Sequence, residues 1–118
     1  MATALQTLAP LPARWQCDLS DDSLSWTPGV FELFGISQSA PLDRTAIVRM
    51  YSDESRVLLE RLRGEAIASC GSFTFEARIV RPDGEARWMR VSADVACRNG
   101  RAALLYGSKH DITAEMRG

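Results

Sequence analysis

The last third of the chain alternates between apolar and polar positions. Phe73, Phe75, Ala77 and Ile79 are separated by Thr74, Glu76 and Arg78. A period of two predicts a strand with one buried face. After the turn residues Pro82-Asp83-Gly84, a second strand puts Met89, Val91, Ala93 and Val95 on one face. Trp88, Arg90, Ser92 and Asp94 take the other. Asn99-Gly100 favours a turn with positive φ at both central residues, and a third strand runs from Ala102 to Lys109 before "HDITAEMRG". Three strands joined by tight turns predict an antiparallel meander.

The middle of the chain changes period. From Asp53 to Ser69, Leu58, Leu59, Leu62 and Ala66 recur at steps of three and four, with Glu60, Arg61, Arg63 and Glu65 between them. That pattern predicts an amphipathic helix. Gly64 inside it costs about 1 kcal/mol relative to Ala, which weakens the prediction for its second half. A turn or two of helix is expected around Ala46 to Tyr51. Upstream, Ala13 to Leu19 and Asp22 to Thr27 read as a hairpin. Thr27 suits an N-cap, Pro28 the first helical position, and Gly35 the end of a short helix "PGVFELF". Two short strands, a helical midsection and a three-strand meander give an α+β class: one five-stranded antiparallel sheet with short helices and one longer helix on one face.

Composition adds mainly exclusions. The chain has 118 residues, enough for one domain. Its 14 basic and 15 acidic residues leave a net charge of −1, so there is no electrostatic case for nucleic acid or an anionic membrane. No apolar run is long enough to span a bilayer. The N-terminus has no basic leader before an apolar stretch and does not read as a signal peptide. Cys17, Cys70 and Cys97 are odd in number and widely spaced, an argument against a disulfide framework and a zinc site, and for a reducing cytoplasm. Cys70 reads as a small apolar residue. No nucleophile elbow, zinc-protease motif or phosphate-cradling loop is present, so no catalytic or metal-binding residues are assigned. A small α+β enzyme of another fold stands as the remaining alternative class.

The order strand, strand, short helices, longer helix, three strands resembles the PAS domain. "ELFG" after the first hairpin, "RPDGEARW" at the second and "GSKHDIT" closing the last strand carry the resemblance, which covers roughly Arg14 to Met116. One departure is "YSDES", Tyr51 to Ser55, where many relatives have a His-Pro-acid-Asp signature. The resemblance implies a sensory or interaction module and not an enzyme. It implies residues 1–12 as an N-terminal flanking segment with helical spacing, 13–111 as the sensory domain and 112–118 as the start of a signalling helix. That helix would lead to an effector such as a histidine kinase or nucleotide cyclase.

The resemblance also sets the candidate sites. A pocket between sheet and helices would be lined by Phe31, Phe34, Met50, Phe75, Ile79, Met89, Leu105 and Lys109. The same residues read equally as a packed core, in which case the module serves dimerisation without a ligand. Lys109 is expected either to snorkel past the strand end or to pair with an acid such as Glu32. Alternatively, it binds an anionic group of a small ligand. In flavin-binding relatives its position holds a cofactor-bonding Gln. The adduct-forming Cys of those relatives has no counterpart in "RTAIVRMYS", and His110 shares a face with Leu104, Tyr106 and Ser108, away from the pocket. Neither a flavin adduct nor haem is therefore expected. Trp88, Leu104 and Tyr106 are read as one apolar patch on the outer face. It would be covered by a second subunit, or by a helix through Ala4, Leu5 and Leu8 that ends before Pro10 and Pro12. Asp111, Ile112 and Thr113 would relay the signal.

Overall fold

A computed structural model describes residues 13–117. Its centre is a five-stranded antiparallel sheet of β1 (Arg14–Asp18), β2 (Ser23–Trp26), β3 (Ser72–Val80), β4 (Ala86–Arg98) and β5 (Arg101–Asp111), in the spatial order β2-β1-β5-β4-β3. The last strand therefore lies at the middle of the sheet, between β1 and β4. Four helices complete the order: α1 (Pro28–Phe34), α2 (Arg44–Val48), α3 (Asp53–Ser69) and α4 (Thr113–Arg117). The expected class, one five-stranded antiparallel sheet with short helices and one longer helix, is found. The covering helix read through Ala4, Leu5 and Leu8 falls outside the described residues.

The elements end where local chemistry ends them. Gly35 closes α1 in the left-handed region, φ 70°. A Cβ there would lie 2.5 Å from the Arg81 side chain, so glycine meets two demands at once. Asn99 and Gly100 take φ 53° and 76°, the paired positive values that a tight hairpin needs. At "YSDES" the structure supplies what the missing signature would have. The Ser52 hydroxyl accepts from the Ser55 N–H and caps α3, while the buried Ser55 hydroxyl accepts from the Arg78 N–H of β3. The helix start is thereby fixed to the sheet, and α3 runs past Gly64 to Ser69.

Buried side chains alternate along β3 and β4 as the period of two requires. Ala77, Ile79 and Met89 are fully enclosed, and Phe75, Val91 and Ala93 are nearly so. They pack with Val30, Leu33 and Phe34 of α1 and Leu59 of α3 in one core. Gly107 lets β5 and β4 approach: a Cβ on it would lie 1.9 Å from the Ser92 carbonyl oxygen.

The cysteines overturn an expectation. Cys70 and Cys97 form a disulfide, with their Cα atoms 6.1 Å apart, and only Cys17 is a free thiol. Wide spacing in sequence misled, because β3 and β4 fold back on each other. Cys70 caps α3 in a left-handed conformation just before β3, and Ser72 pairs with Asp94 as β4 approaches Cys97. Cysteine usage therefore gives no support for a reducing compartment. Among the described residues no helix is long and apolar enough to cross a membrane.

Candidate functional site

β1 and β5 pair through Trp15↔Gly107 and Cys17↔Leu105. This register puts Trp15, Cys17, Leu105 and Lys109 on the inner face beside one another. Across from them stand Arg44 of α2, Tyr51 just after it, and Arg63 of α3. Together with Leu24 and Trp26 of β2 they enclose a cavity of about 40 Å³. It lies under the β1–β2 half of the sheet, whereas the β3–β4 half is filled.

Lys109 is the unusual occupant of this region. It is 7 % exposed, and its ammonium donates to the Tyr51 hydroxyl at 2.9 Å. Four ring centroids lie around Nζ: Phe34 at 5.0 Å, Trp15 at 5.3 Å, Tyr51 at 5.5 Å and Trp26 at 5.8 Å. All are within cation–π range. Ring faces favour the charged amine and desolvation favours the neutral one. Desolvation wins: burial, with added repulsion from Arg44, lowers the Lys109 pKa from 10.5 to about 7. Burial likewise pushes the Tyr51 phenol up. It also raises the Cys17 thiol, with the Asp22 carboxylate adding to the effect.

The expectation that Lys109 snorkels to water or meets Glu32 is therefore corrected. Its partner is a phenol, because β5 carries it inward under Tyr51. Glu32 is exposed at the surface, and its backbone carbonyl accepts from Arg81.

The polar groups of the cavity are nearly all donors. Arg44 pairs with Glu60, and Arg63 with Asp22 at 2.9 Å. Both acids stand outside the lining, so the lining carries three basic side chains and no carboxylate. Trp15 Nε1 and Arg63 Nε are buried N–H groups with no acceptor among the described residues. Buried donors are ordinarily satisfied.

Of the eight pocket candidates from the sequence, only Leu105 and Lys109 line this cavity, with Phe34 beneath the ammonium. Phe75, Ile79 and Met89 are packed core, Phe31 lines a surface groove beside Gly35, and Met50 is half-buried against the core. Trp15, Cys17, Trp26, Arg44, Tyr51 and Arg63 went unread. The alternation Trp15-Gln16-Cys17 in a strand already recognised was the signal that could have found two of them.

A second cluster forms where β5 ends. The Asp111 carboxylate accepts from the Thr113 N–H at 2.9 Å and pairs with Arg87 at 3.0 Å. Burial opposes its charge, but Thr113 and Arg87 still hold Asp111 below the usual carboxylate range. Arg87 also pairs with Glu85, which pairs with Arg81, whose guanidinium reaches the Glu32 carbonyl at the end of α1. Trp88 clamps the same junction through its backbone: its N–H donates to the Thr113 hydroxyl, and its carbonyl accepts from the Ile112 N–H. Ile112 and Thr113 are buried there. The motifs "RPDGEARW" and "HDIT" thus meet in space.

The three outer-face candidates do not form one patch. Tyr106 pairs with Asp94 and Leu104 with Ala96, whereas Trp88 lies level with Ile112 at the other end of β4, about 20 Å away. The Ser92–Ser108 hydrogen bond and the Arg90↔His110 pair fill the interval. Parity assigned the face correctly but gave no position along the strand. Tyr106 is 43 % exposed, while Leu104 and Trp88 are half-buried. His110 points outward and is exposed, as expected. Among the described residues no three His, Cys, Asp or Glu side chains are grouped to hold a metal.

Comparison with known proteins places this architecture. A blue-light-activated histidine kinase of Brucella anthropi is 27% identical over 103 residues, which are 87% of this chain but 21% of that protein. The chain therefore spans about a fifth of that relative's length. Among solved structures, a sensory box histidine kinase/response regulator from Burkholderia thailandensis superposes with a TM-score of 0.80 at 14% identity. The match covers 99% of this chain and 88% of that one. The N-terminal domain of a diguanylate cyclase with PAS/PAC sensor from Marinobacter aquaeolei gives 0.78 at 17% identity, over 87% and 96%. A family model described as PAS fold matches residues 23–108. That stretch runs from the first residue of β2 to the residue before Lys109, through α1, α2 and α3, and the chain belongs to the PAS family.

Proposed function

We propose that this PAS domain is the input module of a larger signalling protein. A small ligand in the cavity beside Lys109 would bias the β5–α4 junction, and through it an effector such as a histidine kinase or nucleotide cyclase. The observation that carries this reading is the course of β5. One strand lines the cavity with Leu105 and Lys109 and, two residues after Lys109, presents Asp111 to hold the start of α4. A strand transmits a displacement along its length with no loop to absorb it. The two orphaned N–H groups favour a ligand over the ligand-free alternative, in which the core is simply filled.

A flavin does not suit the space. The cavity holds roughly three water-sized spheres, and Phe34, Ile79 and Met89 are fully buried in the packed core. The reading therefore assigns no catalysis and no chromophore to the domain. Dimerisation through the outer sheet face belongs to the same proposal, with Tyr106 and Trp88 as separate contacts.

Hydrogen exchange tests the relay. Lys109→Met, which changes a cavity-lining side chain, should change exchange at the Ile112 and Met116 amides by more than the general shift at the other core amides, since these two donate to Trp88 and Ile112. An unchanged pattern at both amides, in a variant whose cavity has demonstrably altered, would show that cavity and junction are not coupled.

A further inference from the structure

The cavity's chemistry is one-sided, and that narrows what it takes. Three basic residues line it, Arg44, Arg63 and Lys109, with no carboxylate among the lining residues. Trp15 is more than nine-tenths buried, yet its indole N–H has no acceptor, and neither does the buried Arg63 Nε–H. Tyr51 Oη accepts from Lys109, which leaves the phenol's own hydrogen free to donate. An unsatisfied buried donor is costly, and several donors around one void are reconciled by a single acceptor-rich occupant. Water answers poorly, because each water brings two hydrogens of its own to a space already supplied with donors. An oxyanion brings only acceptors and complements the basic lining.

We infer that the cavity binds a small oxyanion of three or four heavy atoms, the class of nitrate and simple monocarboxylates. Trp15, Arg63, Tyr51 and Lys109 would serve as its donors. The volume sets the size: about 40 Å³ corresponds to roughly three water-sized spheres. Dicarboxylates, sugar phosphates and nucleotides are too large. Three of the four rings around the Lys109 ammonium, those of Trp15, Trp26 and Tyr51, also line the cavity, so an ion there would sit beside largely apolar walls. This inference rests on the reading of the cavity as a ligand site and adds the class of ligand.

The test uses the chain as it stands. Sodium nitrate and sodium acetate are titrated against it at constant ionic strength, with sodium chloride as the balancing salt and acetamide as a neutral isostere of acetate. The melting temperature and the Trp15 indole N–H resonance are followed, the latter assigned by its loss in Trp15→Phe. Saturable shifts of both with nitrate or acetate, and none with acetamide, are expected. Trp15→Phe keeps a ring and removes the donor, and should weaken binding about tenfold or more, as loss of a hydrogen bond to a charged group does. Should that variant fold poorly, Lys109→Met replaces it and should also weaken binding. Equal binding of acetamide would overturn the oxyanion class while leaving a ligand site. A resonance that no probe moves would overturn the oxyanion outright. The sensing reading fails separately, by unchanged exchange at Ile112 and Met116.

Discussion

The two halves of the inner sheet face are built from the same kind of strand and do different work. Under β3 and β4, Ala77, Ile79 and Met89 are fully enclosed, while Thr74, Glu76, Arg78, Arg90 and Asp94 take the outer face. Under β1, β2 and β5 the inner row runs Trp15, Cys17, Leu105 and Lys109, against Arg44, Tyr51 and Arg63. A protein interior normally admits a charge only when it is paired, and here the paired acids stand outside the cavity. The filled half holds the fold together. The other half leaves a small cavity bordered by three basic side chains and by Trp15, Trp26 and Tyr51, the arrangement on which the proposed ligand site rests.

The largest effect should come from the filled half. Ile79→Ala removes a fully buried side chain where β3, Tyr51 and α1 meet, and should cost about 2–5 kcal/mol in denaturant unfolding. Leu24→Ala, which opens a cavity already present at the edge of the sheet, should cost less than half as much. Equal costs would abolish the distinction between the halves.

Lys109→Met should act in the opposite direction and stabilise the domain, on the order of 2 kcal/mol at pH 6. The sign follows from the pKa. In the unfolded chain Lys109 binds its proton up to about pH 10.5, and in the folded domain only to about pH 7. Between those values the unfolded state holds more protons, so wild-type stability rises with pH. The penalty of the buried charge is full below pH 7 and is relieved from pH 7 towards 10. The gain from Lys109→Met should therefore shrink across that interval, as thermal melts at pH 6, 8 and 9.5 would show. A constant gain would mean that the folded amine keeps its proton across that interval, as an exposed lysine does.

The smallest effect should lie on the outer face. Trp88 and Tyr106 are separate contacts, so Trp88→Ala and Tyr106→Ala should each weaken a dimer by about 1 kcal/mol. The two effects should add within about 0.5 kcal/mol, measured by sedimentation across a concentration series. A strongly non-additive pair would mean that one surface spans both residues. A wild type that is monomeric throughout would remove the dimer from the reading.

The strands and helices were legible because each obeys a local rule. Alternation marks Phe73 to Ile79, three- and four-residue spacing marks Asp53 to Ser69, and Gly35 and Asn99-Gly100 mark the chain reversals. The inward turn of Lys109 followed from parity with Leu105. What escaped depends on pairing between strands distant in sequence. Trp15 reaches Lys109 only through the β1–β5 register, Cys70 meets Cys97 only because β4 folds back on β3, and Trp88 is separated from Tyr106 by the register of β4 on β5. The aromatic setting of Lys109 draws on β1, β2, α1 and Tyr51, three residues beyond α2. No single stretch of sequence contains it.

The clamp at Trp88 has a mechanical meaning. Hydrogen bonds of Ile112 and Thr113 with the Trp88 backbone, and the Arg90–Glu115 ion pair, fasten the start of α4 to β4, while the helix itself lies outside the sheet hydrogen-bond ladder. In the proposed relay, α4 would act as a lever with its fulcrum at Ile112 and Asp111 as the short arm. A helix rises about 1.5 Å per residue, so a small tilt at the fulcrum grows in proportion to the length of the long arm. Under the proposed reading, a sub-ångström change beside Lys109, too small to alter the fold, would become a larger displacement at the far end of α4.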